Sequence, residues 1–171
     1  MSCTDSKFKE GDIIFQTTLN PADYCISHCT GSNKTHCGII VEKNRKFYVL
    51  EVTRSVTLTP LDRFIEKGTL KKYWLKRAGV KEVDIKYKNY LGVPTDSLYQ
   101  FDNGKFYCSE LVYEIYDKQL GIQLCKPKPL ESYPRFKNEE KSSYQRLDGK
   151  QYVVSPDDLF NSPYLTDMPT K

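Results

Sequence analysis

The sequence predicts an α+β fold in which an antiparallel sheet packs against one principal helix, and three observations predict it. Two β-rich runs, residues 36–41 and 46–52, flank the polar turn Glu42-Lys43-Asn44-Arg45 and read as a hairpin. Leu111, Val112, Ile115, Tyr116 and Leu120 recur at helical spacing with Gly121 as terminator, so a helix begins near Cys108. A length of 171 residues suits a single domain over 1–171 that buries its core without help from disulfides.

Taken in order, residues 1–8 are expected to form a flexible N-terminal segment. Gly11 turns the chain into Asp12-Ile13-Ile14-Phe15-Gln16, a continuous apolar run and hence a buried strand. Asn20 caps and Pro21 opens a short helix over 22–30, stopped by Gly31. Beyond the hairpin, 56–58 is a short strand, and Thr59 caps while Pro60 opens a helix that ends near Gly68. Residues 71–77 alternate as a further strand, whereas 80–91 carry a helical pattern closed by Gly92-Val93-Pro94. The polar and aromatic stretch 95–106 leads to the Cys108 helix. Residues 126–150, with Pro127, Pro129 and Pro134, read as a long surface wrap before Ser155-Pro156-Asp157-Asp158 starts a last short helix.

Composition narrows the function classes. With 39% hydrophobic residues, 13 Tyr and 8 Phe, the chain is folded rather than disordered. Its net charge of +4 is spread among 26 basic and 22 acidic residues, and no stacking module accompanies it, so no nucleic-acid partner is expected. No apolar stretch reaches the roughly 18 residues of a membrane span. The start, Met1-Ser2-Cys3-Thr4-Asp5-Ser6-Lys7, is similar to the mature end of a bacterial lipoprotein. A cell-envelope or periplasmic location with an anchor at Cys3 is therefore expected, the alternative being cytoplasmic. Cysteines at 3, 25, 29, 37, 108 and 125 show no disulfide framework and are expected to be mostly reduced and buried.

One cysteine has neighbours that suggest chemistry. A helix N-terminus favours a thiolate through its dipole and unpaired amides, and those amides can also receive the oxyanion of an attacked carbonyl. Cys108 is expected there. The chain has only two histidines; His36 begins a buried strand, where its ring would project from the sheet edge toward the Cys108 helix. Glu51, on the paired strand, would hold the imidazole's tautomer. Each residue alone has a bland reading as a packed thiol, a packed imidazole or a solvated carboxylate, but together they form a nucleophile, base and orienter. Cys25, His28, Cys29, His36 and Cys37 offer metal-ligand types, yet adjacent strand residues His36 and Cys37 point to opposite sides, so no metal or other cofactor is expected.

The strings Gly11-Asp12-Ile13-Ile14-Phe15-Gln16, His36-Cys37-Gly38-Ile39-Ile40, Tyr48-Val49-Leu50-Glu51, Tyr107-Cys108-Ser109-Glu110-Leu111-Val112 and Ser155-Pro156-Asp157-Asp158-Leu159-Phe160 occur in order over most of the chain. Together they resemble the YaeF/YiiX group of permuted NlpC-type papain-like cysteine amidases and peptidases. The resemblance implies a circularly permuted papain-like fold, in which the histidine precedes the cysteine. It implies Cys108 as nucleophile, His36 as general base and Glu51 as polar third member. Gln16 and Tyr107 sit in these motifs and either line the substrate site or help hold the oxyanion, the bland reading being core packing and strand-end hydrogen bonding. The segments 20–35 and 95–106 would shape the groove. The implied activity is cleavage of an amide bond through an acyl-enzyme, with a small peptide, cell-wall fragment or lipid-like acyl compound as substrate. Acyl transfer or lipid-acyl hydrolysis of the lecithin retinol acyltransferase type, or lipid or peptide binding without turnover, are the alternatives.

Overall fold

The apolar runs of the sequence pair edge to edge. The computed structural model describes residues 7–19, 29–136 and 147–170. Its strands are β1 (Ile13–Gln16), β2 (His36–Lys43), β3 (Lys46–Val52), β4 (Val56–Pro60), β5 (Tyr73–Ala78), β6 (Lys128–Pro129), β7 (Tyr152–Val153) and β8 (Leu165–Met168). Six of them form an antiparallel sheet in the order β4-β3-β2-β1-β5-β8, and β6 and β7 make a separate ribbon. The β2–β3 hairpin turns through Asn44 and Arg45, at φ 53° and 61°. Two successive left-handed residues give the turn whose twist matches that of the flanking strands.

Strict alternation along the strands makes the sheet two-sided. Helix α1 (Leu61–Lys67) covers one face and packs Phe64 on Ile14, Ile40, Val49 and Leu75. Helix α2 (Cys108–Leu120) covers the other, with Leu111, Val112, Ile115 and Tyr116 among Ile13, Phe15, Cys37, Ile39, Val41 and Leu50. Each such side chain, fully buried, contributes about 1.5–3 kcal/mol, which is why the sheet keeps its register. Helix α3 (Pro156–Phe160) closes the second face, its Phe160 ring edge-on to Phe15 at 5.3 Å.

The run of α2 along the sheet can be followed from its bonds. The Tyr116 hydroxyl donates to the Gly11 carbonyl at 2.5 Å, just before β1 begins. Eight residues back along a helix cover about 12 Å, so Cys108 lies toward the opposite end of β1. That is the end where Gln16 stands across the ladder from His36. The start of α2 is clamped as well: Ser109 Oγ donates to the Val154 carbonyl at 2.7 Å, and the Val154 amide donates to the Tyr107 hydroxyl at 3.1 Å. Val154 is itself held by the capping box of α3, in which Ser155 and Asp158 bond each other's amides.

Two expectations about these elements are corrected. Residues 80–91 form no helix beyond the single 3₁₀ turn Tyr87–Asn89. The Ile85 amide donates instead to Glu10 Oε1 at 2.7 Å and the Lys86 amide to Gln119 Oε1 at 2.9 Å, so distant side chains claim the donors a helix would use. Thr59 does not cap α1: β4 runs through Pro60, whose ψ of 136° keeps it extended, and the Thr59 hydroxyl is engaged elsewhere. Strand β8 also has no counterpart among the elements expected from sequence. The expected helix over 22–30 is described only at Cys29 and Thr30, which are helical. Residues 1–6, with Cys3, and 137–146 of the expected surface wrap lie outside the described residues. Among those described, no helix is long and apolar enough to cross a membrane.

Candidate active site

Gln16, His36 and Glu51 occupy even-numbered positions of β1 and β2 and the matching parity of β3, so all three face α1 with Ile14, Ile40 and Val49. The His36 ring stacks on Phe64 at 5.8 Å. It therefore takes the α1 side of the sheet rather than projecting toward α2 as the sequence predicts, because Cys37 fills the α2 side. Its Nε2 meets Glu51 Oε2 at 2.7 Å, with His36 6% and Glu51 1% exposed. Gly38 makes this approach possible. A methyl there would stand 2.5 Å from Val49 Cγ1, 2.7 Å from the Leu50 carbonyl and 3.4 Å from Glu51 Cβ.

A buried carboxylate is stable only where its lone pairs are met. Glu51 Oε1 accepts from Thr59 Oγ1 at 2.5 Å and from Lys67 Nζ at 3.1 Å. Burial pushes the Glu51 carboxyl up, but the hydrogen bond and charge of His36, the Thr59 hydroxyl and the Lys67 ammonium together outweigh it and hold the group below its ordinary 4.5. Sequence reasoning singles out neither Thr59 nor Lys67 for this role. Thr59 pairs with Val49 in the β3–β4 ladder and so shares a face with Glu51, two positions along. Lys67 follows Phe64 by three residues, the spacing that puts both on one side of α1. A register drawn for this hairpin would have found the first.

Cys108 heads α2 after the extended Tyr107, and is 5% exposed. It reaches the His36 end of the sheet from the α2 face, along the path described above. Tyr107 turns away: its hydroxyl is spent on Val154, its ring packs edge-on to Tyr99 and Phe101, and it lines an apolar cavity with Cys29, Leu130 and Tyr133. Gln16, His36, Glu51 and Lys67 line a different cavity, of about 480 Å³, with Thr18, Val52 and Arg54 at its sides. Among the described residues no three His, Cys, Asp or Glu side chains are grouped to hold a metal ion. Cys25 and His28 lie outside them. Cys29, Cys37 and Cys108 are buried, and Cys125 is half-buried.

Comparison with known proteins identifies the family and the fold. The chain is 32% identical over 168 residues to the uncharacterized protein YiiX of Escherichia coli K12, covering 91% of this chain and 83% of that protein. The crystal structure of metalloprotein yiiX from Escherichia coli O157:H7 superposes with a TM-score of 0.86 at 29% identity, over 96% of this chain and 98% of that one. The family described as permuted papain-like amidase enzyme, YaeF/YiiX, C92 family, matches residues 7–168. With a sheet crossed by a cysteine-headed helix and a histidine placed earlier in the chain, the protein belongs to the YaeF/YiiX family of permuted papain-like amidases.

Proposed function

We propose that the chain cleaves an amide bond of a peptide or cell-envelope fragment, with Cys108 as nucleophile, His36 as general base and acid, and Glu51 as the group that orients His36. The observation that carries this reading is the buried 2.7 Å bond between His36 Nε2 and Glu51 Oε2, at the end of the sheet toward which the α2 N-terminus points. Because Glu51 engages Nε2, proton exchange with substrate and thiol runs through Nδ1.

In the proposed cycle the thiol proton passes to His36, and the Cys108 sulfur adds to the carbonyl carbon. The oxyanion is received by amides of the first turn of α2, which a helix leaves without intrahelical partners. Collapse expels the amine, which takes the proton back from His36, and leaves an acyl-enzyme. Water, deprotonated by His36, attacks that thioester and restores the thiol. Glu51 is kept ionised by Thr59 and Lys67 and stabilises the imidazolium at each step. The related protein of Escherichia coli O157:H7 is described as a metalloprotein. Here both Glu51 oxygens are taken by His36, Thr59 and Lys67, so the described donors do not fit a metal ion, and no step is routed through one.

The test is mass spectrometry of the protein after incubation with a cell-envelope extract. An acyl fragment on Cys108 is expected in the wild type and absent from Cys108→Ala and His36→Ala. An adduct that persists in His36→Ala, or that sits on another cysteine, would contradict the assignment.

A further inference from the structure

Gln16 is 0% exposed, yet neither its Nε2 nor its Oε1 has a hydrogen-bond partner. Buried polar groups without partners are rare, because each has given up its bonds to water without replacing them. The cavity beside it supplies the reason for keeping one. Gln16 lines that cavity with His36 and Glu51, and its Cα stands opposite His36 in the ladder. Room for the carboxamide is made by Gly68, where a methyl group would meet Gln16 Oε1 at 2.7 Å and the Lys72 carbonyl at 3.1 Å. At φ −69° and ψ 144° the Gly68 backbone suits any residue, so it is the space and not the conformation that calls for glycine there.

A carboxamide with both ends unmet is complementary to a group that offers both an acceptor and a donor. We propose that Gln16 is a specificity-determining residue that holds a peptide group of the substrate flanking the scissile bond. Nε2 donates to the carbonyl of that group and Oε1 accepts from its N–H. A lipid ester has no N–H and satisfies only one end, leaving the other buried and unmet, so the site selects peptide amides over ester-linked acyl chains. The inference rests on the reading of Cys108, His36 and Glu51 as the catalytic set.

The probes are an N-acetyl dipeptide aldehyde and its analogue with the internal amide replaced by an ester. Each adds reversibly to Cys108, the sulfur bonding to the aldehyde carbon and the proton passing to its oxygen. Occupancy is read as protection of Cys108 from iodoacetamide. In the wild type the amide aldehyde is expected to bind about tenfold more tightly than the ester. In Gln16→Met the ratio falls to near one, and the thermal midpoint rises because two orphaned atoms are gone. Gly68→Ala, which crowds the carboxamide without replacing it, lowers the ratio as well. A ratio near one in the wild type, an unchanged ratio in Gln16→Met, or a lower midpoint for that variant would overturn the proposal. So would failure of both aldehydes to protect a Cys108 that alkylates rapidly. Alkylation of Cys108 no faster than of the other cysteines would instead overturn the catalytic set on which the proposal stands.

Discussion

Glu110 sits in the first turn of α2, two residues beyond Cys108, and is 2% exposed. Burial pushes its carboxyl from an ordinary 4.5 up to about 8; a hydrogen bond from the Tyr107 amide opposes the rise, and the charges of Asp96, Glu114 and Asp102 add to it. Its Oε2 has no partner. At pH 7 the folded protein therefore holds a proton that the unfolded chain has released, and stability falls as pH rises from 4.5 toward 8, then levels off. About 2.5 pH units separate 4.5 from neutrality, so at a little over 1 kcal/mol each the cost at pH 7 is roughly 3 kcal/mol. Glu110→Gln removes the titration but keeps a buried polar atom worth about 1–3 kcal/mol against it. The net gain at pH 7 is thus between about zero and 2 kcal/mol. Urea unfolding of both proteins at pH 5, 7 and 8.5 is the assay. The variant's advantage should grow by roughly 3 to 4 kcal/mol between pH 5 and 8 and then hold. A difference that is the same at pH 5 and pH 8.5 would refute a protonated Glu110. Functionally, a neutral Glu110 keeps negative charge away from the helix end at which a thiolate is proposed to form.

Glu51→Gln loses a charge-assisted bond worth about 1.5–3 kcal/mol, so acyl-enzyme formation should slow about 10- to 150-fold, as read by the rate of the Cys108 adduct. Because Glu51 is held below 4.5 in the fold, its contribution to stability is present above 4.5 and is lost as pH falls through the folded value. The stability gap between wild type and Glu51→Gln should therefore close in acid, and a gap unchanged below pH 4 in acid titration would contradict the ion pair. Gly38→Ala forces a methyl against the Leu50 carbonyl and Val49, at a cost of about 3 kcal/mol, and should lower the thermal midpoint by several degrees. A midpoint within a degree of wild type would show that β2 and β3 can part without loss.

What the sequence made legible was what local pattern controls. The hairpin from His36 to Val52 follows from alternation and a polar turn, and the Cys108 helix from its apolar spacing and Gly121, which ends it at φ 67°. The pairing of His36 with Glu51 follows from the hairpin alone. Illegible parts were those decided at long range. Val80, Val83 and Tyr87 have helical spacing, yet Glu10 and Gln119 capture the amides of residues 85 and 86 from elements far off in the chain. Strand β8 is a short edge strand with Thr166 and Asp167 exposed, and only its pairing to β5 defines it. Thr59 has the local pattern of a cap because its partner, Glu51, lies in another strand. The side of the sheet taken by His36 depends on which parity Cys37 and Ile39 bury, and that in turn on where α2 docks.

Convergence of Cys108 with His36 is tested most directly by the rate at which iodoacetamide alkylates each of the six cysteines near neutral pH, resolved peptide by peptide, in wild type and His36→Ala. Cys108 should react fastest in the wild type and fall to the rate of an ordinary thiol in the variant. Equal rates for Cys108 in the two proteins would mean that the imidazole does not act on that sulfur.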